Sequence, residues 1–457
     1  MRVERDYLGE LEIEDDVYYG VHTKRALMNF PRTGERFDGT FIWAYFMIKK
    51  SAALLNTELG YLDERIGDAV VRACDEWEIL KDHIVVDPLV GGAGTSVNMN
   101  VNEVIANRAT EILGGKKGEY TVDPLDHVNL HQSTNDTFPT AAKMAVIVGI
   151  GRLEEKIIKL QDTIQRKEKE FYHVRKVGRT QLMDGPPIML GQEFGAFADA
   201  LARDRWRLNK VVERIRSVNI GGTAIGTGIG APKDFILKIV QKIREVSRVK
   251  IAKAENLIDA TQNWDVFAEV HGLLRSLAVN LYKISNDIRL LGSGPNTAIG
   301  EIILPKVQAG SSIMPGKVNP VVPEYVLQIC HVVFGHDVSI SHACALGNLE
   351  LNQFAPLIVH LTLKSISLLE RACDSLRDYV ERIEPNEKRC EENLRRSLSN
   401  LTPLIREFGY EEVAEAIRDA DWRIERALEI LAERTGKDVD YLKNKLNYKD
   451  MAKLGYL

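Results

Sequence analysis

Three stretches of this chain repeat apolar residues at alternating steps of four and three, and that repeat restricts the possible folds more than any other feature. Val146, Ile150, Leu153, Ile157, Leu160 and Ile164 form one series, and Val270, Leu274, Leu277, Leu281, Ile284, Ile288 and Leu291 a second. A third runs through Val359, Thr362, Ile366, Leu369, Cys373, Leu376, Val380 and Ile383. A period of about 3.5 residues held over roughly 18 to 25 residues means long helices packed nearly parallel or antiparallel. Met144 to Ile150 is apolar almost all round, and a helix apolar on every face needs neighbours on every face. The economical solution is an oligomer whose long helices meet in a shared bundle.

Between these stretches, glycine and proline gather in short loops such as Gly91–Gly94, Gly221–Gly228 and Gly310–Gly316. At about 150 residues per domain, 457 residues suggest about three domains. The expected division is a mixed helical region over 1–136, a long-helix bundle over 137–388 and a small helical region over 389–457. Strand signals are few and short, so the fold is expected to be mainly α. With 60 Lys plus Arg against 65 Asp plus Glu, the chain has no basic excess for binding nucleic acid. No stretch is apolar enough to span a membrane. The charged N-terminus, MRVERDYLGELEIEDD, lacks a secretory apolar segment. Five scattered cysteines without CxxC spacing read as reduced thiols of a cytoplasmic protein, with no metal framework.

Two tempting motifs are set aside. Gly226-Thr-Gly-Ile-Gly-Ala231 fits a dinucleotide fingerprint, but no alternating strand–helix pattern surrounds it, so close backbone approach is the better reading. His127 and His131 have the spacing of one helix face, yet Val128 stands where a zinc protease needs glutamate.

Three polar clusters carry more weight: Gly94-Thr95-Ser96-Val-Asn98-Met-Asn100, Gln132-Ser133-Thr134-Asn135-Asp136 and Gly178-Arg179-Thr180-Gln181. Each places short hydroxyl and amide side chains beside glycine or at a helix start. Helix capping explains any one of them. Three together, with the segment that follows, suit an anion. That segment is Gly310-Ser311-Ser312-Ile-Met-Pro-Gly316-Lys317-Val-Asn319-Pro320. Its glycines can hinge a loop with both serines at the tip, Lys317 supplies a positive charge, and Asn319-Pro320 reads as a helix start.

GSSIMPGKVNP resembles the signature of the aspartase/fumarase superfamily. GGAGTSVNMNVNEVIANRA, HQSTNDTFPTA, GRTQLMDGPPIMLGQEF, GGTAIGTG, NDIRLLGSGP and GNLELN agree with it, so the likeness covers nearly the whole chain. It implies a three-domain fold with a tetrameric core of long helices, and sites shared between three chains of a homotetramer. The family reaction is anti elimination from a succinyl skeleton to give fumarate, without a cofactor or metal. By resemblance Thr95, Ser133, Thr134 and Ser312 would hold the β-carboxylate, Lys317 with Asn319 the α-carboxylate, and Ser96 would be a further substrate-binding residue. Asn135 and Thr180 would face the amino group, with Gln181 beside them, and Ser311 would be the base.

Within the superfamily, Tyr18-Tyr-Gly-Val-His-Thr23, the Ser133–Asn135 triplet, Gln308-Ala-Gly and Gln181 resemble aspartate ammonia-lyases more than class II fumarases. Fumarases carry histidine where Gln181 stands, supported by a glutamate at the place of Glu324. Expelling hydroxide from malate needs an acid, and glutamine cannot titrate. Expelling ammonia from an ammonium group needs none. L-aspartate and fumarate are therefore the expected substrate pair, and a class II fumarate hydratase interconverting malate and fumarate is the alternative. Lyases for larger succinyl conjugates typically carry histidines where Thr134 and Gln181 stand. A non-catalytic, crystallin-like role fits poorly with retention of Ser311, Lys317 and Asn319.

Overall fold

In a computed structural model, which describes residues 1–446 and 448–452, the chain is mainly helical, and its described strands form four two-stranded sheets. The charged N-terminus, which carried no strand signal, folds as an antiparallel hairpin of β1 (Arg2–Asp6) and β2 (Gly9–Ile13). Asp38 caps α1 (Gly39–Glu58) by accepting from the Thr40 N–H at 2.7 Å. The helix α2 (Thr95–Ile112) follows, then the long helices α3 (Thr134–Glu170) and α4 (Leu190–Ile215). Between α3 and α4 lies a hairpin of β3 (Arg175–Thr180) and β4 (Met183–Met189). Three more long helices complete the series: α5 (Asp265–Leu291), α6 (Val321–Ala345) and α7 (Ala355–Val380).

The chain divides into two compact units, and each of α3 to α7 contributes residues to both. The first comprises Met1–Glu155, Asp204–Ala278 and His331–Glu370. Its core holds an aromatic cluster in which Phe138 lies edge-on to Phe41 at 5.1 Å, and Trp264 stacks on Phe267 at 4.8 Å. A polar cross-link joins three of its helices. His271 on α5 bonds Asp337 on α6 at 3.0 Å and Ser365 on α7 at 2.9 Å, and His336 also bonds Ser365 at 2.9 Å. Because buried polar groups must find partners, this knot favours one register of the three helices. Burial pushes the His336 imidazole down to about 4.

The second unit comprises Lys156–Arg203, Val279–Cys330 and the described residues from Arg371 onward. Its short C-terminal helices enclose a small apolar core that includes Leu401, Val413, Leu428 and Leu442.

All three heptad series are buried within one chain, no member more than 7% exposed. Met144–Val146, Gly149 and Ile150 are also buried, and only Ile147 and Val148 are half-open. The heptads are therefore the intrachain core, and the argument from Met144–Ile150 to an oligomer is corrected. An uncovered seam lies instead on α6, where Tyr325, Gln328, Val332, Gly335, Ser339 and His342 recur at steps of three and four and are all exposed. None of the five cysteines forms a disulfide, and four of them are buried.

Leu274 on α5 has no exposed surface. Leu274→Ala is expected to lower the unfolding free energy by about 2–5 kcal/mol, read from the urea midpoint at unchanged slope. A loss below about 1 kcal/mol would show that this heptad position is not core.

Candidate active site

Five of the expected site residues lie in the first unit, built around two helix starts. At the start of α2, Gly94 has φ +95°, and a Cβ there would stand 2.3 Å from the Phe138 ring, so only glycine fits. Thr95 is exposed and Ser96 half-buried on the first turn, where unpaired N–H groups and the helix dipole favour an anion. Asn98 and Asn100, grouped with them in the sequence, turn inward and serve the scaffold. Asn98 donates to Asn129 Oδ1 at 3.2 Å, and Asn100 accepts from the Val85 N–H at 2.8 Å and donates to His83 O at 3.0 Å.

At the start of α3, Ser133 accepts from the Asn135 N–H at 3.2 Å, and the Ser133 N–H donates to Asp136 Oδ1 at 3.0 Å. This reciprocal pair is a capping box with aspartate in the usual glutamate position, so the capping explanation holds for this cluster. Thr134 is buried, and Asn135 donates to Ala224 O at 2.7 Å. Asp136, fully buried, also accepts from the Gly221 N–H at 3.1 Å and the Thr223 N–H at 2.9 Å through Oδ2. One carboxylate thus ties the serine–threonine–asparagine triplet to the glycine-rich loop. Beneath it, fully buried Lys49 donates to Asn129 Oδ1 at 2.9 Å and Gln132 Oε1 at 3.0 Å. Burial pushes the Asp136 carboxyl up to about 7 against the pull of its three N–H donors and Lys49, and pushes the Lys49 ammonium down to about 7.

Contacts join the first two clusters: Thr137 Oγ1 donates to Asn98 Oδ1 at 3.4 Å. Tyr18–Thr23 is docked on α2 by buried Glu103, which accepts from the N–H groups of Gly20, His22 and Thr23 and from the Thr23 hydroxyl.

The other expected residues lie in the second unit. Thr180 pairs with Met183 across the β3–β4 turn, leaving Gln181 (φ +54°) and Leu182 (φ +65°) as a two-residue loop with both residues left-handed. Such turns ordinarily take Asn-Gly, so two bulky residues here are held against their preference. The holding group is Glu301, a carboxylate with no exposed surface. It accepts from both arms of the Arg179 guanidinium at 2.7 and 2.8 Å and from Asn393 at 3.0 Å, with Lys176 at 3.2 Å. Burial alone would raise this carboxyl, but Arg179, Lys176 and Asn393 outweigh burial and hold it below the ordinary range.

The strand Ile302–Ile303 follows Glu301 and leads to the serine loop. Gly310 N–H donates to Lys317 O at 2.8 Å, and the Asn319 amide donates to Gly310 O at 2.8 Å, closing the loop at its base. Two expectations are corrected. Ser311 sits near that base, half-buried, while Ile313–Gly316 form the exposed tip. Asn319 seals the loop and does not cap α6, which begins at Val321. Ser311 Oγ accepts from the N–H groups of Ile313 at 3.2 Å and Met314 at 2.9 Å. Ser312 and Lys317 are exposed, and Lys317 makes no ion pair among the described residues. Glu324, on the first turn of α6, lies 3.8 Å from Arg289.

The motifs set aside are also placed. A Cβ at Gly226 would lie 2.4 Å from the Ile258 backbone, so the chain itself fills the space a dinucleotide phosphate would need. His127 accepts from the Asp123 N–H at 2.8 Å inside a π-turn, and His131 stands outside any helix at φ +62°, so the two do not share a helix face. Among the described residues no group of three or more His, Cys, Asp or Glu side chains is placed to hold a metal ion.

The chain as a whole is similar to known proteins. A family model described as lyase matches residues 9–335. An aspartate ammonia-lyase of a Bacillus species is 44% identical over 427 residues, covering 92% of this chain and 91% of that protein. The chain belongs to the aspartase/fumarase superfamily. An aspartate ammonia-lyase of Escherichia coli K12 is 43% identical, covering 90% of this chain and 87% of that protein. Among solved structures, a fumarate lyase:delta crystallin from Brucella melitensis matches with a TM-score of 0.94 at 42% identity, covering 99% of each chain. A class II fumarase from Schistosoma mansoni matches with the same TM-score at 30% identity, again over 99% of each. The mainly α fold is that of this superfamily.

Sequence reading missed Glu301, Lys49 and the hub role of Asp136. Glu301→Gln is expected to lower the unfolding free energy by about 3–5 kcal/mol, because it leaves the largely buried Arg179 guanidinium without its counter-charge, while Lys176 keeps Glu193. The folded carboxyl lies below its ordinary value near 4.5, so its contribution is present in full above that pH and is lost as pH falls through the folded value. The stability gap between wild type and variant should therefore be constant from neutral pH down to about 5 and shrink below it. A gap that widened toward acid would contradict the clamp.

Proposed function

We propose that this chain is an aspartate ammonia-lyase, catalysing the reversible anti elimination of ammonia from L-aspartate to give fumarate. The observation that carries the reading is Gln181 at the tip of the β3–β4 hairpin. A site for dehydrating malate needs a titratable group to protonate the departing hydroxide, and an amide cannot supply a proton. An ammonium leaving group already carries its own. The aspartate ammonia-lyases similar over nine-tenths of the chain support the same reading.

In this mechanism Ser311 removes the proton next to the β-carboxylate, which becomes a doubly negative aci form. A serine is a poor base unless its alkoxide is stabilised. The two N–H groups directed at Ser311 Oγ supply fixed donors for that charge, and Lys317 adds a nearby cation on the same loop. Thr95, Ser133, Thr134 and Ser312 hold the β-carboxylate, the group that gains charge in the transition state, where fixed donors count most, and Ser96 is a further substrate-binding residue beside Thr95. Lys317 and Asn319 hold the α-carboxylate, Asn135 and Thr180 face the amino group beside Gln181, and Glu324 is a residual support without its histidine.

We further propose a cytoplasmic homotetramer whose sites each draw on three chains. Two features support it: the uncovered stripe on α6, and the exposed Leu182 and Met183 beside Thr180, at 66% and 70%. Large apolar side chains at a functional tip ask for a covering surface.

The deciding measurement is kcat/KM for L-aspartate against L-malate, followed by fumarate absorbance. General acid assistance is typically worth about 10²- to 10⁴-fold, so malate should be at least ~100-fold the poorer substrate. Comparable values, or a preference for malate, would make this a fumarase with an unusual site.

Ser311→Ala should leave less than about a tenth of wild-type kcat with the fold unchanged. Mixed after subunit exchange with an equally inactive Thr180→Ala variant, it should regain activity through sites that receive both intact segments. No recovery in a mixture proved to contain hybrid oligomers would defeat the shared site.

A further inference from the structure

Ser365 on α7 has no exposed surface, and its one hydroxyl serves two histidines. The oxygen lies 2.9 Å from His271 Nε2 on α5 and 2.9 Å from His336 Nδ1 on α6. At its other nitrogen the His271 ring lies 3.0 Å from Asp337 Oδ1, and Arg275 grips Oδ2 of the same carboxylate at 2.6 Å. All of these residues belong to the first unit.

The protons of this row are placed by counting donors. A carboxylate held by a guanidinium is ionised and can only accept, so neutral His271 carries its hydrogen on Nδ1 and accepts at Nε2. The Ser365 hydroxyl has one hydrogen, which is spent on His271. Ser365 can then only accept from His336, whose hydrogen sits on Nδ1. Every bond is made with both rings neutral. One added proton can settle on His271, beside Asp337, if the serine hydroxyl turns to His336. A second proton, on His336, has no such remedy. Both rings then donate to one oxygen, and the new charge lacks a carboxylate of its own.

The charges that face His336 oppose that second proton further. His271 faces it from α5, Lys364 and His360 face it from α7, and Glu35, in the segment before α1, is its acidic neighbour. Glu35 is already engaged by Lys364 and lies 3.5 Å from His360, while Asp337 is taken by Arg275 and His271. Burial first, and then these cations, push the His336 ring down to about 4. Burial also holds His271 below the ordinary imidazole range, against the pull of Asp337.

We infer that the Ser365 row is an acid latch, which locks α5, α6 and α7 together in the first unit while His336 is neutral and lets go when that ring is protonated. Unfolding returns His336 to its ordinary value of 6.5, so the unfolded chain takes up a proton that the folded ring refuses until about 4. The contribution of the latch is therefore complete above pH 6.5 and is lost as pH falls toward 4.

The experiment compares the full-length wild type with His336→Asn by urea unfolding from about pH 7.5 to about 4.5. Asparagine keeps an N–H near the Nδ1 position and cannot titrate, although it fills less of the site and should leave the protein less stable at neutral pH. The ratio of the wild-type to the variant unfolding constant should be flat above about pH 7 and should climb toward tenfold per pH unit between about 6 and 4.5. A ratio that stays constant in acid, or falls, overturns the latch. If the asparagine variant does not fold, the wild type decides alone by nuclear magnetic resonance of protein labelled at histidine Cε1. At least one of the ten histidines should still be neutral at about pH 5, and ten charged rings at that pH would overturn the latch.

Discussion

Two carboxylates that never reach solvent organise the segments that carry the candidate site. Asp136 gathers three backbone N–H groups from two segments, and through them it fixes the start of α3 and the glycine-rich loop as one piece. Charge-assisted hydrogen bonds are roughly twice as strong as neutral ones, and here they are directed at the backbone, which side-chain motion cannot release. The hydroxyls of Ser133 and Thr134 then occupy fixed places because the peptide groups beside them are fixed. Without this carboxyl, the loop at 221–226 would keep its glycines but lose the partner that defines its path.

Glu301 plays the same part in the second unit, with the opposite choice of donors. It binds side-chain cations, and the Arg179 fork it grips stands one residue before Thr180. Buried ion pairs are weak evidence for stability, because desolvation consumes much of the Coulomb gain. Their value here is directional. A bidentate guanidinium–carboxylate pair admits one geometry, and it anchors a turn whose residues, Gln181 and Leu182, would not choose left-handed backbone unaided. The same carboxylate precedes the strand that leads to the serine loop, so two functional segments share one anchor.

What the sequence disclosed follows from how far each signal reaches along the chain. Periodic burial is local, so Leu274, Leu281 and Ile288 announced a helix of the core from spacing alone. The serine loop and the polar cluster at Thr180 were legible because glycines and hydroxyls gather within ten residues, whereas the hairpin that carries Thr180 left no strand signal. Asp136 was visible as part of a polar cluster, but its partners at 221 and 223 lie more than eighty residues away and contribute only backbone, which leaves no mark on composition. Glu301 lies more than a hundred residues from Arg179 and reads as an ordinary surface glutamate. The α6 seam escaped because four of its six positions, Gln328, Gly335, Ser339 and His342, are not large apolar residues. A search for apolar periodicity therefore passed over it and settled on heptads that one chain buries by itself.

The division between committed and open polar groups accounts for the chemistry the fold can support. Asn98, Asn100, Asn102 and Asn129 use their amides on one another or on backbone, so they rigidify the floor of the site and cannot compete for a substrate. Thr95, Ser96 and Lys317 remain open to a ligand. Ser311 lies between these classes, half-buried, its oxygen already accepting two N–H groups. For a neutral serine those two bonds bring a modest gain. For an alkoxide in the same place they bring a larger one, with no reorganisation at the moment of proton transfer. The loop thus sets two fixed donors where the base proposed for Ser311 would carry its charge, in geometry formed during folding.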